Sequence, residues 1–110
     1  MQALDDYLWL ALERAKAGRM YLDAHPELAD WAQRATKPIK MASTHDCLLA
    51  QLFGRFRDGA EALGLDEEAT VALGFRGSTS ELRSMAEFNK YYQVLTAAWE
   101  TERKQRRGIP

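Results

Sequence analysis

His45-Asp46-Cys47 is where an imidazole, a carboxylate and a thiol stand side by side in this chain. A Cys–His pair can generate a thiolate nucleophile. Helical spacing works against it, because residues two apart on a helix point about 160° away from one another. Cys47 also leads a run of leucines, where cysteine behaves as a small inert hydrophobe. The trio is therefore read as structural. His25, His45 and Cys47 are the imidazole and thiol ligands, with Asp46 beside them, and CxxC, HxxxH and HExxH spacings are absent. No metal site is expected. The sequence has no GxGxxG, no Walker-type loop and no GxSxG. No carboxylates pair in an identifiable pocket, so general acid–base work has no support. The expectation is a non-enzyme with no catalytic residue and no cofactor.

Three other constellations could carry binding. The acidic residues Asp58, Glu61, Asp66, Glu67 and Glu68 fall in a stretch with no basic side chain. Such a face can engage a basic partner or simply be solvated. Arg103, Lys104, Arg106 and Arg107 form a basic end that could hold phosphate. It could equally complement the negative end of a helix dipole. Trp9 and Met20 are the third, considered below with their helix. Ala60, Gly64 and Leu65 before a new helix also resemble a helix-turn-helix turn. The reading helix would then open with Asp66, Glu67 and Glu68, whose field repels phosphate.

The chain has 110 residues, 46% of them hydrophobic and 28% charged, the span of one domain. That composition excludes an intrinsically disordered chain. A folded surface of roughly 6,000 Å² is expected, enough burial for one core without staples. With 15 basic and 16 acidic side chains the net charge is −1, so no global field draws nucleic acid or anionic membrane. A single cysteine excludes an internal disulfide framework and suits a cytoplasmic protein. Leu8-Trp9-Leu10-Ala11-Leu12 is far short of the ~20 apolar residues that span a bilayer. Asp5 and Asp6 stand where a secretory leader would be basic, so none is expected.

Strand-like alternation is scarce, while helical periodicity is strong. The first helix is predicted over residues 3–24. Leu4, Leu8, Ala11, Ala15, Gly18 and Leu22 fall within an arc of about 80° at 100° per residue. Trp9 and Met20 lie opposite, with Glu13 and Lys16. This second apolar spot is either covered by other parts of the chain or used as an interface, where aromatics concentrate binding energy. His25-Pro26 ends the helix, and a short second one follows to Ala35 with Leu28, Trp31 and Ala32 inward. Residues 37–40 connect.

The third helix opens at Ser43-Thr44-His45-Asp46, with capping-box-like spacing. It carries Leu48, Leu49, Leu52, Phe53, Phe56 and Leu63 on one side. Gly54 and Gly59 mark either close approach of a neighbour or a break near Gly54. Leu63-Gly64-Leu65 and Leu73-Gly74-Phe75 are two helix stops with a glycine at positive φ. Asp66 caps the short helix between them. Ser78 or Ser80 is expected to cap the last helix, which runs to Arg106 or Arg107 with Met85, Phe88, Tyr92, Leu95 and Trp99 on one face.

Asp46-Cys47-Leu48-Leu49-Ala50-Gln51-Leu52-Phe53-Gly54, with Asp58-Gly59, Ala62-Leu63-Gly64-Leu65, Leu73-Gly74-Phe75 and Tyr92 to Trp99, is a familiar pattern over about residues 43–100. It resembles small hypothetical proteins of actinobacteria, Deinococcus-like bacteria and their phages, which often read DCVLGQLFG here. Ala50 replaces their glycine. The resemblance implies a small cytosolic, often phage- or prophage-borne, protein and transfers no catalytic residue.

The expected fold is all-α: one domain of four or five helices, with long N- and C-terminal helices packed on a buried central helix. The expected function is a non-enzymatic protein-binding factor, a phage or prophage accessory protein acting on a host protein. Its contact residues would be Trp9, Met20, Asp58, Glu61, Asp66, Glu67 and Glu68. Homodimerisation through the long helices is expected. The alternative is a nucleic-acid binder using Arg103, Lys104, Arg106 and Arg107.

Overall fold

The structure, a computed structural model of the chain, describes residues 4–78, 82 and 84–108, and side chains from Leu8 onward. Among the described residues it is all-α. Helix α1 spans Leu4–Ala24 and is followed by a 3-10 turn at Pro26–Leu28. Then come α2 (Trp31–Arg34), α3 (Leu48–Phe53), α4 (Phe56–Leu63), α5 (Glu67–Ala72) and α6 (Met85–Arg107). The folded surface is 6449 Å², close to what the chain length predicts.

Helix α1 ends where expected. His25 takes the extended conformation that a following proline imposes, and its Nδ1 donates to the Tyr21 carbonyl at 2.7 Å. The predicted apolar stripe is the buried one: Ala11, Ala15, Gly18 and Leu22 all face inward. They pack against α6, and the two long helices run parallel. Arg14 meets Tyr91, Arg19 meets Glu102 and Asp23 meets Arg106, so both helices advance in the same direction. Parallel helices align their dipoles unfavourably. The two cross-helix ion pairs lie near the C-terminal ends, where they offset part of that cost.

The third predicted helix is two helices. Gly54 adopts φ +98° and breaks the run into α3 and α4. Gly59 serves the other purpose that glycine can serve. A Cβ there would lie 2.9 Å from Phe53 and 3.0 Å from Leu49, so it lets α4 fold back on α3. Ser43 does accept from the amides of His45 and Asp46, but that turn is separate, and α3 starts after Cys47. Leu48, Leu49, Ala50 and Leu52 of α3 are buried, against α2 and α4, beside the α1–α6 pair.

Both glycine stops form as the sequence implies. Leu65 N–H reaches the Ala60 carbonyl and Gly64 N–H the Glu61 carbonyl. Phe75 and Gly74 repeat this with Thr70 and Val71. Asp66 accepts from Ala69 N–H at 2.8 Å and caps α5. The last helix starts later than expected. Ser84 accepts from Glu87 N–H at 3.1 Å, so the cap of α6 is Ser84. Ser78 lies upstream of it, and Ser80 falls outside the described residues.

The core centres on three rings. Trp99 stacks on Phe75 with centroids 5.6 Å apart and meets Trp31 edge-on at the same distance. The segment from Ala35 to Met41 is non-helical, bends at Lys37 and is strapped along α6. Arg103 donates to the carbonyls of Ala35 and Lys37, at 2.8 and 2.7 Å. Ile39 N–H donates to Glu100 Oε1, and Met41 N–H to Thr96 Oγ1. Alternate residues of an extended chain advance about 6.6 Å. Steps of three or four residues on a helix advance about 4.5–6 Å, so the two rows stay nearly in register. Ile39 and Met41 are buried and Lys37, Pro38 and Lys40 are exposed.

Candidate protein-interaction surface

The His45-Asp46-Cys47 trio does not converge. His45 is exposed and lines a shallow cavity with Arg34, Lys37 and Gln51. Cys47 is buried and lines a different one of about 240 Å³, with Met41, Phe56, Phe75 and Tyr92. Burial pushes its thiol up, away from the thiolate form. Among the described residues, no three His, Cys, Asp or Glu side chains group as metal ligands.

The basic end of α6 is largely engaged within the chain: Arg103 is buried, Arg107 half-buried, and Lys104 and Arg106 exposed. Arg103 is only 7% exposed and is held by two strap carbonyls and Glu100. Arg107 donates to the carbonyls of Ala32 and Ala35 at the end of α2. A short helix leaves those carbonyls without partners of its own, and the guanidinium supplies them. Arg106 pairs with Asp23 at 2.8 Å. Only Lys104 of the four points to solvent with no charged partner among the described residues. A phosphate would have to compete with bonds that hold the fold.

The acidic side chains are all exposed, yet most have local work. Glu61 pairs with Arg57 one turn away. Asp66 caps α5, and Glu67 lies 3.7 Å from Arg76. Asp58 and Glu68 have no ion-pair partner among the described residues. Helix α5 is under two turns long and buries Thr70 and Val71, so the helix-turn-helix resemblance ends in an acidic stub without a reading face.

The first helix is different. Trp9 is 62% exposed and Met20 is 55% exposed, so no part of the described chain covers this spot. At 100° per residue both fall near the centre of the solvent face, with Glu13 and Lys16 between them. Leu12, 51% exposed, extends the patch. Sequence reasoning missed Leu12, although the 9, 12, 16, 20 spacing was the available signal. Met85 corrects another expectation: grouped by periodicity with Phe88, Tyr92, Leu95 and Trp99, it is instead 70% exposed at the start of α6. The Arg14–Tyr91 bond sets the helices level, so Met85 lies at the same end of the pair as Leu8. The patch rides on a rigid element, because the opposite side of α1 is clamped to α6 and α5.

Comparison with protein-family models, with curated proteins and with solved structures gave no match. No helix among the described residues is long and apolar enough to cross a membrane. Glu13 and Lys16, on the same arc as Trp9, have no ion-pair partner among the described residues.

Proposed function

We propose that this chain is a non-enzymatic protein-binding factor whose principal contact surface is the solvent face of α1. The observation that supports it is the grouping of exposed Trp9, Leu12 and Met20 on one face of a helix fixed from behind. Single exposed apolar side chains are ordinary, whereas three on one helix face support an interaction site. Tryptophan is the side chain most enriched where binding energy concentrates. The acidic residues from Asp58 to Glu68 are a secondary contact for a basic partner, with Asp58 and Glu68 the two that have no ion pair among the described residues. The partner is a host protein or a second copy of the chain. A phage or prophage accessory role toward a host protein is the form suggested by the sequence resemblance.

The test pairs solution mass with retention of partners by the immobilised chain, using Trp9→Ala for comparison. Self-association or retention of a partner, lost in Trp9→Ala, is the expected result. A monomer that retains nothing, or retains the same proteins with and without Trp9, overturns the reading.

A further inference from the structure

We propose that the solvent face of α1 pairs with the same face of a second copy, antiparallel about a two-fold axis lying between residues 14 and 15. This rests on the protein-binding reading above and names its partner. The argument is the self-complementarity of the stripe. Its members sit symmetrically about that point: Trp9 and Met20 at the outer positions, Glu13 and Lys16 at the inner ones. A two-fold contact uses one patch twice, so each residue meets its symmetry mate's counterpart. Trp9 then faces the partner's Met20, a thioether–aromatic contact. Glu13 faces the partner's Lys16, and both events occur twice. Leu12 lies beside the aliphatic stem of the partner's Lys16.

A parallel arrangement of the same helices would set Glu13 against Glu13 and Lys16 against Lys16, so charge selects the antiparallel one. Within the described chain neither of these two side chains has an ion-pair partner. They are available to a second molecule without breaking an internal bond. Residues 9 to 20 span about 16 Å of helix. The contact is therefore at the small end of specific interfaces, and a micromolar, salt-sensitive dimer is expected.

The test is sedimentation or light scattering of the full chain across the micromolar range, with Glu13→Lys and Lys16→Glu variants. Wild type is expected to move from monomer to dimer mass. Each variant alone puts like charges opposite one another and should weaken the dimer about tenfold or more. Mixing the two variants should restore association as a heterodimer, and E13K/K16E together should restore a homodimer. Circular dichroism identical to wild type checks that each variant is folded. A wild type that is monomeric throughout overturns the proposal. So does a dimer that is indifferent to the single variants or is not regained on mixing. A monomer that still retains a different protein through Trp9 removes this pairing and leaves the protein-binding reading standing.

Discussion

The indole N–H of Trp99 donates to the carbonyl of Gly74 across 2.7 Å, where α5, α1 and α6 meet. Gly74 has φ +71°, and a Cβ there would lie 2.7 Å from the Arg14 carbonyl. On α1, Gly18 faces the same junction, where a Cβ would collide with the Leu73 carbonyl and the Trp99 ring. One hydrogen bond and two missing side chains thus let α5 end against α1 while α6 passes beneath.

The two glycine stops should consequently respond differently to alanine. Gly64 has φ +67° with open space around it, so Gly64→Ala meets only the backbone penalty, about 1–2 kcal/mol. Gly74→Ala meets that penalty and a collision with backbone, and should cost at least about 3 kcal/mol. Urea unfolding midpoints read both. Equal losses would mean that the α1–α5 contact relaxes freely.

The strap makes a second case. Arg103→Lys keeps the charge but loses the fork that reaches Ala35, Lys37 and Glu100. It is expected to cost about 2–3 kcal/mol and to speed amide exchange at Ile39 and Met41. Lys104→Ala, one position along, should stay within about 0.5 kcal/mol of wild type. If both variants were equally neutral, the inward reading of the basic end would fail.

These residues also show what a sequence can and cannot disclose. Periodicity identified α1 and its buried stripe, because burial of one helix face is a local pattern. Glycine between apolar residues identified both stops, because positive φ is a local demand. Gly54 and Gly59 looked alike, and only the fold assigns a break to one and a close approach to the other. Ser84-x-x-Glu87 has the capping-box spacing and the Ser84 hydroxyl does cap α6, yet the earlier serines of the same loop place the expected cap upstream. The strap was unreadable, since its bonds join side chains to carbonyls more than 60 residues away. For the same reason, basic charge at the end of α6 could be counted but not aimed. Of the candidate surface, Trp9 and Met20 stood out by sitting opposite the apolar stripe. Whether the rest of the chain covered them was a tertiary question.

Asp23 gives a pH dependence with a definite sign. Burial alone would raise its pKa, but hydrogen bonds from Arg106, Trp31 and Arg19 outweigh that and hold it below the ordinary value of 3.8. A carboxyl with a lowered folded pKa stabilises the fold above its unfolded pKa. That contribution is lost as pH falls through the folded value. Stability should therefore drop on acidification below about pH 4, and Asp23→Asn should flatten that part of the profile. Thermal midpoints of the two proteins across the acid range check it. A profile unchanged by Asp23→Asn would remove Asp23 from the acid response.

The surface on α1 predicts a dissociation between stability and binding. Trp9, Leu12 and Met20 lie on the solvent face of α1, mostly exposed in the chain. Polar replacement there removes little buried area, so Trp9→Ser, Leu12→Ser and Met20→Ser should each leave unfolding within about 0.5 kcal/mol of wild type. Leu22→Ser, on the buried side of the same helix, is the contrast and should cost several kcal/mol. The three exposed variants should instead be more soluble and associate less, because exposed apolar surface on one helix face favours association. Unfolding midpoints measured beside solution mass separate the two effects. A Trp9→Ser protein that unfolds as readily as Leu22→Ser would show that Trp9 supports the fold, and would take the binding surface with it.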